Sequence, residues 1–153
     1  MAKVAIIMGA GTDRPVMEKA AQMLERFGVE SDMRVISAHK CVEETIAFGK
    51  SVEANGFGVV IAGAGKAAAL PGVMAALTLV PVVGVPISAS LDGMDALLSI
   101  VQMPTGIPVA TVAIDAANNA ALLAVQMLAM ADPELKAKLV DYREELRKKT
   151  LAG

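Results

Sequence analysis

The sequence predicts an α/β fold: a parallel sheet of about five strands, helices on both of its faces, and a charged helix at the C-terminal end. Three observations lead there. Five short runs are almost continuously apolar, the pattern of strands buried on both faces. Helical patterns alternate with those runs through short loops, which is the order of successive βαβ units. Charge is segregated: of 14 basic and 16 acidic side chains, eleven fall in "DPELKAKLVDYREELRKK" (132–149).

The first strand is "KVAIIMG" (3–9). In "RPVMEKAAQMLERFG" (14–28), Val16, Ala20, Leu24 and Phe27 share one helical face, and Gly28 suits the position just past a helix end. "SDMRVIS" (31–37) is the second strand, and "VEETIAFGKSVEANG" (42–56) is a second helix closed by Gly56. "GVVIAG" (58–63), the helix "AAALPGVMAALT" (67–78), "VPVVGVP" (80–86), the helix "LDGMDALLSIVQM" (91–103) and "VATVAI" (109–114) complete the sheet and its inner helices. "NNAALLAVQMLAMA" (118–131) is a fifth helix. In the sixth, Asp132 is the cap, Pro133 takes the first helical position, and Glu134 favours the positive helix end. Residues 1–131 form one α/β domain, and 132–153 are a helix packed on that domain or on a neighbouring subunit.

Composition narrows the function classes. The chain has 153 residues, 55% of them hydrophobic and only 3% aromatic, so its core is Ala, Val, Leu, Ile and Met. A net charge of −2 with no basic stripe argues against nucleic acid. One cysteine permits no internal disulfide, in keeping with a reducing cytoplasm. The opening apolar run suits a strand and is too short for a signal peptide. The stretch 70–87 is broken by Pro71, Pro81 and Pro86, and reads as a helix followed by a strand rather than a membrane span. A body so poor in charge hides surface against copies of itself, so a homo-oligomer is expected.

Parallel sheets bind ligands at the carboxyl ends of their strands, where the strand order reverses. The segments there are "MGAGTD", "SAHK", "AGAGKAAALPG" and "PISASLDG". "GAGTDR" (9–14) is not a complete dinucleotide fingerprint, because Arg14 stands where the third glycine belongs. Its backbone amides at a helix start can still hold a phosphate or ribose. Asp13 is either a helix cap or a carboxylate accepting from ribose hydroxyls. "AGAGK" (62–66) is not a phosphate loop: Val60 stands at the first glycine and Ala67 at the magnesium-binding hydroxyl. Gly63 and Gly65 let a ligand approach the backbone. Lys66 is a solvated lysine or a ligand contact. His39 is the only histidine; it follows a strand end and adjoins Lys40, and an imidazole is the side chain best suited to carry a proton both ways. A single histidine and a single cysteine argue against a metal site. Cys41 has no second histidine to act as its base, which argues against a thiol nucleophile.

The motifs "VAIIMG", "RVISAHK", "LPGVMAALT", "SLDGMDALLSIVQMP", "GIPVATVAI" and "NAALLAVQMLA" together resemble the PurE family, the carboxyaminoimidazole ribonucleotide mutases and carboxylases of purine synthesis. The likeness runs from residue 4 to about 130. It implies a flavodoxin-like three-layer α/β/α sandwich assembled as an octamer. It also implies a reaction that moves a carboxylate from an exocyclic nitrogen to a ring carbon of an aminoimidazole ribonucleotide, or adds carbon dioxide directly, without metal, nucleotide or biotin. By the same resemblance His39 is the proton carrier, Lys40 contacts the phosphate where the mutases have arginine, Ser37 lies near that phosphate, and Asp13 holds the ribose.

The sequence also departs from the pattern. In the first loop, after Gly9, Ala10 replaces a serine that lines the ligand, while Thr12 keeps a hydroxyl. In the stretch Gly63, Ala64, Gly65, Lys66 to Ala69 and Leu70, Lys66 replaces a glycine and Ala69 a histidine at the imidazole and carboxylate end of the site. Lys66 then either compensates, by binding a carboxylate or carbon dioxide, or marks a changed substrate. The competing expectations are a paralogue that carboxylates or decarboxylates another heterocyclic ribonucleotide, and a non-catalytic nucleotide-binding oligomer.

Overall fold

A computed structural model describes residues 1–153. Five parallel strands form one sheet: β1 (Lys3–Met8), β2 (Ser31–Val35), β3 (Phe57–Gly65), β4 (Val82–Ile87) and β5 (Ala110–Thr111), in the order β2-β1-β3-β4-β5. Six helices cover it: α1 (Arg14–Arg26), α2 (Val42–Ser51), α3 (Leu70–Leu77), α4 (Met94–Val101), α5 (Ala117–Ala129) and α6 (Pro133–Leu151). The result is the flavodoxin-like three-layer sandwich.

Residues of the central strands β1, β3 and β4 alternate between two cores, which explains why those runs are apolar nearly throughout, whereas the edge strand β2 keeps Ser31, Asp32 and Arg34. Val4, Ile6, Met8, Val59, Ile61, Val83 and Val85 face α1 and α5. Ala5, Ile7, Val60, Ala62 and Val82 face α2, α3 and α4. On α1 the buried face is Met17, Ala20 and Leu24, followed by Phe27, while Val16 is only half-buried. Gly28 (φ +72) and Gly56 (φ +78) close their segments in the left-handed region, open to glycine at little cost. The Asp132 carboxylate caps α6 by accepting from the Leu135 N–H at 3.0 Å. Helix α6 lies against its own chain: Leu135 is buried in the first core, Lys138 donates to the Phe27 carbonyl at 3.1 Å, and Tyr142 packs on Phe27 at 5.5 Å. No helix is long and apolar enough to cross a membrane.

Most element ends differ by a few residues from the sequence expectation, and four of the differences have a clear local reason. Strand β3 runs to Gly65, because Ala64 and Gly65 pair with Pro86 and Ile87. Strand β5 keeps only two residues. The Gly84 and Pro86 carbonyls both face it, accepting from Val112 and Asp115, and proline has no N–H to continue that ladder. Helix α3 starts at Leu70, after a turn in which the Ala68 N–H donates to the Lys66 carbonyl at 2.9 Å. Helix α4 starts at Met94, because Leu91 (φ +47), Asp92 (φ +54) and Gly93 (φ +82) form a left-handed turn.

Candidate active site

The chain leaves β1 toward β2 on one side and returns to β3 on the other, so the order reverses around β1. A cavity of about 510 Å³ opens at the carboxyl ends of the strands there. Its wall unites the four segments that follow β1 to β4. Gly9, Ala10, Thr12 and Asp13 come from the first. Ser37, His39 and Lys40 come from the second. Ala64, Gly65, Lys66, Ala69 and Leu70 come from the third. Ala38, Ala67, Ala68 and Ala89 also line it. Gly63 does not: it is buried in β3 beneath the wall, where a Cβ would come within 2.4 Å of Met17 Sδ. Cys41 is also outside the wall, and its thiol makes no cap to α2.

The loop after β2 is braced by polar contacts. The Lys40 N–H donates to Ser37 Oγ at 3.1 Å, and the Cys41 N–H to the Ser37 carbonyl at 2.9 Å. Buried Thr45 donates from Oγ1 toward the Cys41 carbonyl at 2.7 Å and the Ser37 carbonyl at 3.2 Å. This turn leaves His39 and Lys40 exposed on the cavity wall, with no hydrogen bond committed to either side chain. An uncommitted imidazole on a cavity wall can exchange a proton with a ligand.

Asp13 occupies the cap position of α1 but makes no side-chain cap bond. Burial holds its carboxyl above the ordinary aspartate range, the neighbouring Ala10 backbone offsets part of this, and the negative charge of Asp115 adds to the rise. The cavity cations are Lys40 and Lys66, and the ion pairs of the chain, Arg26–Glu145, Arg34–Asp32 and Arg147–Glu144, involve neither. Lys66 carries a left-handed backbone (φ +55). Across from it, Asp95 is held below the usual carboxylate range chiefly by the Ser90 hydroxyl, with a smaller contribution from the charge of Lys66. No group of three or more His, Cys, Asp or Glu side chains is placed to hold a metal ion. Two larger grooves, of about 640 and 740 Å³, border α5 and α6, but aliphatic, amide and basic side chains dominate them and neither contains a carboxylate or a histidine.

Comparison with known proteins gives one consistent answer. The AIR carboxylase family matches residues 3–149. The N5-carboxyaminoimidazole ribonucleotide mutase of Pyrococcus abyssi is 57% identical over 97% of this chain and 86% of its own length. The chloroplastic phosphoribosylaminoimidazole carboxylase of Vigna aconitifolia is 52% identical over 95% of this chain, which spans 26% of that longer protein. Among solved structures, PurE of Treponema denticola superposes with a TM-score of 0.89 at 33% identity, over 97% of this chain and 94% of that one.

Proposed function

The chain belongs to the AIR carboxylase family, and from that premise we propose that it transfers a carboxylate on an aminoimidazole ribonucleotide in purine biosynthesis. The observation that carries the reading is the cavity itself: one imidazole, one carboxylate and two unpaired ammonium groups, from three loops, around a space of nucleotide size. In this reading Lys40 and Ser37 take the phosphate and Asp13 accepts from the ribose hydroxyls. The aminoimidazole then lies between His39 and the loop after β3.

The chemistry requires one proton to be moved. When the carboxylate leaves the exocyclic nitrogen as carbon dioxide, that nitrogen gains a proton. When the ring carbon attacks carbon dioxide, the new C–C bond forms and the carbon loses its hydrogen as a proton. His39 supplies the nitrogen's proton as carbon dioxide leaves and takes one back from the ring carbon after the C–C bond forms, so the enzyme ends unchanged. Mutase chemistry on the N-carboxylated substrate is the leading form, supported by the identity to a named mutase along nearly the whole chain. Direct carboxylation, or the reverse loss of carbon dioxide, uses the same groups. That identity also favours the purine substrate over another heterocyclic ribonucleotide. A free imidazole in the wall favours an enzyme over a passive nucleotide binder.

Assembly into a homo-oligomer, an octamer in the fullest form of the reading, is supported by the exposed apolar side chains of Leu91, Met94, Leu98 and Val101 along α4 and the turn before it. A cytoplasmic setting fits the lone free cysteine. The test is an absorbance assay of the purified chain with the N-carboxylated ribonucleotide, and with aminoimidazole ribonucleotide plus bicarbonate, alongside light scattering. Turnover of at least one substrate is expected. An intact oligomer that turns over neither would overturn the function.

A further inference from the structure

Lys66 adopts a backbone conformation that its side chain disfavours. At φ +55 it is in the left-handed region, which a residue with a Cβ populates about tenfold less readily than a helical or extended one. Nothing in the fold repays this. The residue is exposed, adds nothing to either core, and its ammonium makes no hydrogen bond or ion pair. A merely solvated lysine gains nothing from such a position, and strain of this kind gathers at functional sites.

The wall around it supplies a reason. Lys40 and Lys66 stand on the loops after β2 and β3, the two strands that flank β1 from opposite sides. The two cations of the cavity therefore come from loops on opposite sides of β1. Around Lys66 the wall is otherwise Ala64, Gly65, Ala67, Ala68 and Ala69, which offer methyl groups and backbone only. Any second anionic group on a ligand anchored at Lys40 has one side chain there to neutralise it.

We propose that Lys66 is the specificity-determining residue for the carboxylate: its ammonium binds the carboxylate group of the ribonucleotide, from the loop across β1 from the one that takes the phosphate. The assignment rests on the ribonucleotide reading above and names the group within it that tells carboxylated from uncarboxylated ligand.

Calorimetric titration of the full chain with two ligands that differ by one carboxylate, aminoimidazole ribonucleotide and its ring-carboxylated form, tests this. Lys66→Met should weaken binding of the carboxylated ligand about tenfold or more and leave the other within about twofold, as loss of a charged hydrogen bond requires. Lys66→Arg should retain most of the discrimination. Lys66→Gly removes the charge and the strain together, so it should lose discrimination equally while melting at or above the wild-type temperature, which separates the effect from misfolding. Equal weakening of both ligands, or of neither, in a wild type that binds both, overturns the role of Lys66 alone. A wild type that binds neither nucleotide overturns the ribonucleotide reading, and the role of Lys66 falls with it.

Discussion

The loops after β2 and after β3 line one cavity, yet different forces hold them. Residues 37–41 form a turn closed by hydrogen bonds from the Lys40 and Cys41 amides to Ser37, with buried Thr45 tying the Ser37 and Cys41 carbonyls to α2. Residues 64–70 make no side-chain hydrogen bond. They are held by fit: Ala64, Ala68 and Leu70 are buried in the second core, and a Cβ on Gly65 would stand 2.9 Å from Ala89 Cβ and 3.2 Å from the Ile87 carbonyl oxygen. A polar brace fixes the backbone and frees the outward side chains to carry chemistry. A steric fit fixes the backbone through volume, and there Lys66 is the one residue with a charged side chain to present to the cavity.

The comparison predicts opposite failures. His39→Asn should cost about 10²- to 10⁴-fold in turnover, the usual worth of a positioned proton carrier. It should leave the melting temperature nearly unchanged, because an exposed side chain without partners contributes within about 0.5 kcal/mol. Steady-state kinetics beside a thermal melt checks both halves, and a variant that loses stability along with activity would mean the ring is part of the brace. Gly65→Ala should behave the other way. A methyl group against Ala89 and the Ile87 carbonyl has no flexible neighbour to displace, so urea unfolding should show a loss of about 1–3 kcal/mol. Turnover should fall as the wall shifts. Unchanged stability would show that the β3 loop is not held by fit.

The same contrast explains what could be read from the residues alone. The His39 loop was legible because its chemistry is in its side chains, although β2 before it is a partly polar edge strand. The centre of the sheet was legible because both faces of β1, β3 and β4 are covered and those strands are apolar nearly throughout. The β3 loop was less so. That Ala64 and Gly65 continue the strand depends on Pro86 and Ile87 across the ladder, and Gly63 belongs under the wall because Met17 fills the space beside it. The left-handed turn of Lys66 has no local signature in "GKAAA", and the Leu91–Gly93 turn hides in a segment that reads as a helix start. Pro86 was visible, but which neighbour its missing N–H would have served was not. Ala38, Ala67, Ala68 and Ala89 were missed as lining residues because a methyl group announces no chemistry, although Ala89 follows the end of β4, where the sheet rule already pointed.

Asp13, on the loop between the other two, gives the smallest and most specific prediction. Burial raises its carboxyl above the ordinary aspartate value of about 3.9, and Asp115 adds to the rise. The folded chain therefore holds this proton more tightly than the unfolded chain does. The stability from this group is complete below the unfolded value and is lost as pH climbs through the higher folded value. Asp13→Asn removes the titration, so the variant should gain on the wild type as pH rises across that window, and the gap should become constant above it. Urea unfolding of both proteins from pH 3 to 7 measures the difference. Asp115→Asn should narrow the gap by removing the like charge, while leaving the larger part due to burial. A gap that stays flat or shrinks with rising pH would mean that the carboxylate is solvated, and that the first loop opens to water rather than toward a bound sugar.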